Sequence, residues 1–403
     1  MNLIIIGAGA AGMAAALAAA ENPETQVILL ERQARVGRKL QATGNGRCNL
    51  TNLHTNLAHY HGEDAGFVAP ALSAMGVTET LAWFRKMGLF TVAEESGKIY
   101  PYSDHANSVV DVLRLALCQK NITLRTGFEV TKIAKSGGGF VVSSAEESLQ
   151  CDRLIVACGG LAGTKLGGSM SGYKLLGKLG HKSTRLRPSL VQLKSNWGGL
   201  VSLKGVRTNC NIKIYRNVEL YAESTGELQF TDYGISGPVV FEVSRDVCQG
   251  TGKWSARLDV LPDVTAEELK QELIRRTGLE LPAEELMTGI LHNRLGRVLV
   301  KASGISGKNT TDEFSTEELD AVVRSVKSFE IILTDPMGME NAQVTAGGVQ
   351  TSGFDSKTME SKLIPGLYAC GEVLDIDGDC GGFNLQWAWS SGYIAGKAAG
   401  GSL

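Results

Sequence analysis

The chain of 403 residues has no C-x-x-C pair, and no cysteine and histidine stand at the spacing of a zinc site. A zinc module and a thioredoxin-like dithiol are therefore not expected, and no metal is. The eight cysteines (Cys48, Cys118, Cys151, Cys158, Cys210, Cys248, Cys370 and Cys380) read as buried or incidental thiols of a reducing compartment, and the expected localisation is cytoplasmic. Neither charge dominates: 40 Lys and Arg against 42 Asp and Glu give a net charge of −2. No general pull toward nucleic acid or an anionic membrane follows, so the expected partner is a small molecule. There is no internal repeat, no low-complexity tract and no Gly-x-Ser-x-Gly frame around Ser236, which argues against a hydrolase elbow. The uncharged stretch 1–20, MNLIIIGAGAAGMAAALAAA, is long enough to span a bilayer. It lacks the basic flank of a secretory signal, and Gly7, Gly9 and Gly12 interrupt it. Strand, tight turn and helix describe it better.

Glycine is the residue in excess: 49 of 403, about 12% against the usual ~7%, gathered in short clusters. Such clusters mark places where backbone turns tightly or approaches a ligand. The length allows two or three domains. Along the chain, Asn2–Ile6 reads as a buried strand, Met13–Ala20 as helix, and Gln26–Leu30 as a second strand ending in Glu31. Helix is predicted over 69–90 and 107–120, and strand over 122–124, 128–133, 140–143 and 154–157. From about Leu190 the pattern turns to short alternating strands. It is mostly helical from Thr265, an N-cap residue ahead of Glu267-Glu268, to about Val326. Strand returns at 329–334 and 367–369, and a last helix covers 384–399. The expected organisation is a discontinuous first domain, 1–189 and 330–403, with a β-rich insert at 190–263 carrying a helical subdomain at 264–329.

Gly7-Ala8-Gly9-Ala10-Ala11-Gly12 is a G-x-G-x-x-G between a predicted strand and a predicted helix. The second strand ends in Glu31, 19 residues after Gly12, where a ribose-binding carboxylate is expected. Gly7 allows the turn, Gly9 lets a pyrophosphate near the backbone, and Gly12 lets helix pack on sheet. The helix N-terminus then offers free N–H groups to phosphate. Two C-terminal features favour FAD over NAD. Leu367–Ala369 leads to Gly371-Glu372, which can present a carboxylate to a polyol, and FAD has a ribityl chain. Gly381-Gly382-Phe383-Asn384 opens the last helix, whose N-terminus suits the negative charge of a reduced flavin. No second G-x-G-x-x-G follows a strand, since Gly159-Gly160 and Gly167-Gly168 lack the spacing. NAD(P)H is thus expected only as a transient donor.

With these motifs the chain resembles the BaiN/RdsA-type NAD(P)/FAD-dependent oxidoreductases, the group that includes aminoacetone oxidase. The resemblance runs over nearly the whole chain: GAGAAG at 7–12, GRKLQATGNGRCNLTN at 37–52, ACGG at 157–160, LGHK around His181, ISGP at 235–238, TAGGV at 345–349 and GLYACGEVLDIDGDCGGFNLQWAWSSG at 366–392. It implies an α/β fold, a Rossmann-like FAD-binding domain of glutathione-reductase type with an inserted β-rich domain and a helical subdomain. It also implies non-covalent FAD. Gly7, Gly9, Ala10, Ala11, Gly12, Glu31 and Arg32 would hold its AMP half, and Val130 would meet the adenine. Lys39, Leu40, Thr43, Gly44, Asn45 and Gly46 would lie along pyrophosphate and flavin, beside Cys158, Gly159 and Gly160. Gly371, Glu372, Gly382, Phe383, Asn384 and Leu385 would hold ribityl and flavin. The implied activity is reduction of an electron-poor C=C bond, an enone of steroid or bile-acid type, with NAD(P)H. The alternatives are an amine oxidase of aminoacetone type producing H2O2, or a non-enzymatic or tRNA-directed flavoprotein.

Catalytic groups are harder to read. Arg47 could bind an anionic substrate group or serve an ion pair, Cys48 is more often a packed thiol, and Tyr100 could line a pocket. His54, His59 and His61 read as solvated loop residues, and Trp387 and Trp389 as packing.

Overall fold

The computed structural model describes residues 1–305 and 307–401. They divide into two compact units: Met1–Pro188 joined by the segment from Met339 onward, and Ser189–Gly338.

In the first unit the apolar run Leu3–Ile6 is fully covered within strand β1 (Asn2–Ile6). The alanine-rich stretch forms helix α1 (Ala10–Ala19), whose side chains are short and helix-favouring. Strands β2 (Gln26–Glu31), β3 (Ile122–Thr126) and β4 (Arg153–Val156) follow. In the second unit come β5 (Leu193–Ser195), β6 (Arg207–Arg216), β7 (Glu219–Phe230), β8 (Gly234–Ser236), β9 (Trp254–Asp259) and β10 (Phe329–Pro336). The first unit then resumes with β11 (Leu367–Ala369) and ends in helix α2 (Phe383–Ala399).

The first unit's main sheet is parallel, in the order β11-β4-β1-β2-β3. All five strands therefore end at one edge, where doubly wound folds gather ligands. Helices α1 and α2 lie against each other with almost no space between. A β-carbon at Gly392 would fall 2.3 Å from the Ala11 carbonyl oxygen, and one at Gly396 would fall 2.2 Å from that of Ala15. Glycine every fourth residue on α2 thus meets alanine every fourth residue on α1. The predicted helix at 69–90 is two helices, Ala69–Ala74 and Val77–Lys86. The strand expected at 128–133 begins only at Lys132, because Gly127 turns the chain and the Phe128 amide bonds to the Glu31 carbonyl.

The second unit is a closed antiparallel barrel, β5-β8-β7-β6-β9-β10. Along β6 the alternation puts Cys210, Ile212 and Ile214 inside. Helices Ala266–Thr277, Asn293–Ala302 and Thr316–Lys327 add Leu273, Leu299 and Val322 to the same core. Thr265 caps the first of these in a reciprocal pair with Glu268. The expected return to the first domain at residue 330 comes too early: β10 pairs with β9 and β5 to close the barrel, so the boundary falls after Gly338.

His181 lies buried in the first unit, stacked on Phe354 at 4.4 Å, with Nε2 3.0 Å from Ser361 Oγ. Burial holds its imidazole below the ordinary histidine value. The unfolded chain therefore binds a proton that the folded chain refuses. The stabilisation from neutral His181 is fully present above about pH 6.5 and is lost as pH falls below that value, by up to about 1.4 kcal/mol per pH unit. Thermal melts between pH 5 and 8 should show a shallower acid slope for His181→Gln than for wild type. Superimposable slopes would remove His181 from the acid response.

Candidate functional site

The C-terminal edge of the parallel sheet collects four sequence-distant pieces. Gly7 follows β1, Glu31 ends β2, Cys158-Gly159-Gly160 follow β4, and Gly371-Glu372 follow β11. Because the strand order is β11-β4-β1-β2, these pieces stand side by side. Gly12 is required by closeness: a β-carbon there would sit 1.8 Å from the Gly7 carbonyl oxygen. Gly9 differs, since a β-carbon there would meet nothing within 4 Å. Packing within the protein does not require glycine at that position, and the backbone there is left open to a ligand. Gly9 is also the N-cap of α1, which has no side-chain cap and no acidic residue in its first turn. The first-turn amides, at Ala10, Ala11 and Gly12, are left facing outward with the positive end of the helix dipole.

Glu31 is aimed by its own backbone. Oε2 accepts from the Ala8 amide at 2.9 Å and Oε1 from the Gln33 amide at 2.9 Å. A carboxylate offers about four acceptor positions, so both oxygens can still take a bond from a diol. Arg32 donates to the Gly167 carbonyl at 2.7 Å, and Arg32, Gln33, Ala34, Arg38 and Glu129 line an open cleft of about 390 Å³. Val130 is buried nearby in sequence, and Phe128 is tied to the end of β2. On the other side of the edge, Lys39 Nζ lies 2.6 Å from Glu372 Oε2, and Glu372 Oε1 accepts from the Thr345 amide at 2.9 Å. A β-carbon at Gly160 would strike Glu372 Oε1 at 2.4 Å. Burial pushes the Cys158 thiol up to about 12, so it stays protonated.

The loop after Lys39 is conformationally unusual. Gly44, Asn45 and Gly46 all have positive φ, and Cys48 follows at φ 63°. Two of these are not glycine, and left-handed backbone at such residues carries strain that clusters at ligand sites. The loop runs beside the N-terminus of α2. The cap there, Gly382 (φ 104°), has no room for a side chain: a β-carbon would lie 2.6 Å from the Thr51 carbonyl oxygen. Helix α2 likewise has no side-chain cap and no acidic first turn. Its first turn includes Phe383, Asn384 and Leu385. The Asn384 side chain is engaged in the preceding loop, accepting from the Gly378 amide at 2.8 Å and donating to the Gly378 carbonyl at 2.7 Å. Its part at this site is to shape the turn. Fully buried Gln386 anchors the same helix end: Thr51 Oγ1 donates to its Oε1 at 2.6 Å, and its Nε2 lies 2.9 Å from Thr80 Oγ1 and 3.0 Å from the Met75 carbonyl.

Of the catalytic candidates, Arg47 is already engaged. Its guanidinium bonds to Asp104 and, at 2.8 Å, to Glu94, and it stacks 3.9 Å over the Tyr100 ring. Cys48 is fully buried, and burial pushes its thiol up to about 12, which leaves no thiolate near neutral pH. The Tyr100 hydroxyl is also held above its ordinary value, by burial first and then by Glu94. Trp387 and Trp389 pack and donate to the Gly371 and Leu50 carbonyls.

The histidines expected to be solvated are partly organised. His59 Nδ1 lies 3.0 Å from Asp379 Oδ2, and His61 Nε2 lies 2.6 Å from Asp379 Oδ1. Burial pushes the Asp379 carboxyl up, but the hydrogen bonds from His61 and His59 outweigh it and hold it below its ordinary value. His59 also stacks on Phe383 at 4.1 Å. This cluster therefore sits at the start of α2. His59 and His61 are separated from Asp379 by some 320 residues, and only the antiparallel pairing of Tyr60-His61 with Asp377-Gly378 brings them together. Nothing in the sequence signals that pairing.

Comparison with known proteins decides what this edge belongs to. A family model described as the HI0933-like protein Rossmann domain matches residues 1–398. The chain belongs to the HI0933-like family. This HI0933-like protein is an FAD-dependent oxidoreductase, and so an enzyme. It is 40% identical over 408 aligned positions, 99% of each chain, to a 3-dehydro-bile acid delta(4,6)-reductase of Clostridium scindens. It is 32% identical to a ribosomal RNA dihydrouridine synthase of Escherichia coli, covering 97% of this chain and 96% of the relative. Among solved structures, 3-ketosteroid delta1-dehydrogenase from Sterolibacterium denitrificans matches with TM-score 0.53 at 12% identity, covering 100% of this chain and 99% of the other. At that identity the likeness shows the fold. The residues at this edge fit FAD: open space against Gly9, two helix N-termini without side-chain caps, and a carboxylate oriented at the end of β2.

Proposed function

We propose that this HI0933-like enzyme reduces a C=C bond conjugated to a carbonyl, in a small steroid- or bile-acid-like enone, with NAD(P)H as electron donor. The observation that carries the reading is 40% identity across 99% of both chains to a bile-acid delta(4,6)-reductase. FAD, when bound, would supply the hydride chemistry between a nicotinamide donor and the electron-poor carbon. The chain's own task is to hold the cofactor, exclude water and deliver one proton to the neighbouring carbon, so that the product gains two hydrogens. In this reading Glu31 would hold the ribose diol, the amides after Gly9 would hold the pyrophosphate, and the start of α2 would hold the flavin. Histidine is the side chain that exchanges protons near neutral pH. His59 and His61, steadied by Asp379 beside that helix, are the assigned proton carriers.

A second reading has support of its own. The rRNA dihydrouridine synthases at 32% and 33% identity also carry names that imply saturating a C=C bond conjugated to a carbonyl, in uracil. The net charge of −2 gives no footprint for RNA, which places the small enone first.

The test is anaerobic. The purified yellow protein is mixed with NADH or NADPH and a 3-oxo-Δ4 steroid acid, or with an rRNA fragment, and products are weighed. The enone should gain two mass units as nicotinamide is consumed, and Asp379→Asn should shift the pH dependence of turnover. An inert enone beside an rRNA fragment that gains two mass units would install the second reading. Oxygen uptake with aminoacetone and no nicotinamide would replace both.

A further inference from the structure

Asn49 is more than nine-tenths buried, and its Oδ1 has no hydrogen-bond partner among the described residues. A buried amide oxygen left unpaired is costly and needs an explanation. Its surroundings supply one. The Asn49 backbone follows the strained turn: a β-carbon at Gly44 would lie 3.0 Å from the Asn49 amide nitrogen and 3.3 Å from the Tyr100 ring. At the other end, Asn49 Oδ1 would be 2.9 Å from a β-carbon at Gly382, the cap of the 17-residue helix α2. The orphan oxygen and the uncapped helix N-terminus are thus immediate neighbours, and at either glycine a side chain would crowd Asn49. The oxygen accepts and the helix amides donate. Together they match an amide edge of the kind C(=O)–NH, in which a carbonyl oxygen and an N–H stand next to each other. The pyrimidine side of an isoalloxazine ring carries that edge.

We propose that Asn49 is a flavin-positioning residue whose Oδ1 accepts the ring N3–H while the first-turn amides of α2 donate to the adjacent carbonyl oxygen. The proposal rests on FAD binding at this edge and adds the residue that sets the ring's rotation about its long axis. The strain at Asn45 and Cys48 has a use on this view: it turns the loop so that Asn49 faces α2 rather than solvent. Asn49 satisfies its buried oxygen only when the cofactor is in place, so apo-protein bears a penalty that binding relieves.

The test uses FAD-stripped protein reconstituted with FAD or with 3-methyl-FAD, which cannot donate from N3. Wild type should bind the methylated cofactor at least about tenfold more weakly, as expected for one hydrogen bond lost at a buried acceptor. Asn49→Ala should shrink that ratio toward one. Asn49→Leu, similar in shape and without polar atoms, should leave the melting temperature of apo-protein unchanged or raised while weakening FAD by about tenfold. Equal binding of the two cofactors by wild type overturns the proposal without needing any variant to fold, and leaves FAD binding intact. A parallel loss of apo stability and FAD affinity in Asn49→Leu also overturns it, since a purely structural asparagine would behave so. If wild type took up neither cofactor, the flavoprotein reading beneath it would fail first.

Discussion

Glu31→Ala protein should leave the column with little FAD and bind added FAD about 10- to 100-fold more weakly than wild type, the scale of one or two hydrogen bonds to a charged group. The effect has two sources. One is loss of the acceptor for the ribose diol. The other is local: the Ala8 amide, buried in the turn between β1 and α1, loses the partner that holds it at 2.9 Å. The phosphate-binding turn itself then loosens. Glu31→Gln separates the two, because it can keep a bond to the Ala8 amide while removing the charge. It should recover much of the stability and only part of the affinity. Titration of apo-protein with FAD, followed by flavin fluorescence, checks both. Full retention of FAD by Glu31→Ala would mean that the end of β2 does not meet the ribose.

Gly396→Ala should destabilise the protein by about 1–3 kcal/mol, although alanine is the better helix former. Two effects oppose each other. Helix propensity favours alanine by about 1 kcal/mol. Against it, the new methyl would stand 2.2 Å from the Ala15 carbonyl oxygen, and backbone cannot rotate out of the way as a side chain can. The helices must part, and Gly392 and Gly400, which touch Ala11 and Ala19, lose their contacts too. Gly177→Ala is the control. Gly177 lies in the helix Ser171–Lys178 with nothing within 4 Å of its would-be β-carbon, so there the propensity gain should appear alone. Thermal melts of the two variants should move in opposite directions. If both rose, the α1–α2 seam would be looser than the geometry indicates.

Much of the C-terminal edge of the parallel sheet is legible in the chain because its signals are local. A short apolar run, G-x-G-x-x-G, an alanine helix and a strand ending in Glu31 lie within 31 residues, and each element restricts the next. The barrel's last strand was placed in the wrong unit because barrel closure is non-local: nothing in Phe329–Pro336 says that it pairs with Trp254–Asp259. Arg47 looked available for an anion because Glu94 and Asp104, which neutralise it, are 47 and 57 residues away. The unpaired oxygen of Asn49 was invisible for a related reason. Its isolation depends on what the surrounding backbone fails to offer, and no pattern of residue types encodes that.

The seam between α1 and α2 also governs when this enzyme can come into being. Synthesis runs from the amino end, so β1 and α1 leave the ribosome long before the helix that covers them is made. In between, an almost wholly apolar helix waits without its cover while every strand of the barrel is made. A nascent chain stalled before residue 383 would expose its alanine face to the quality-control machinery of the cell.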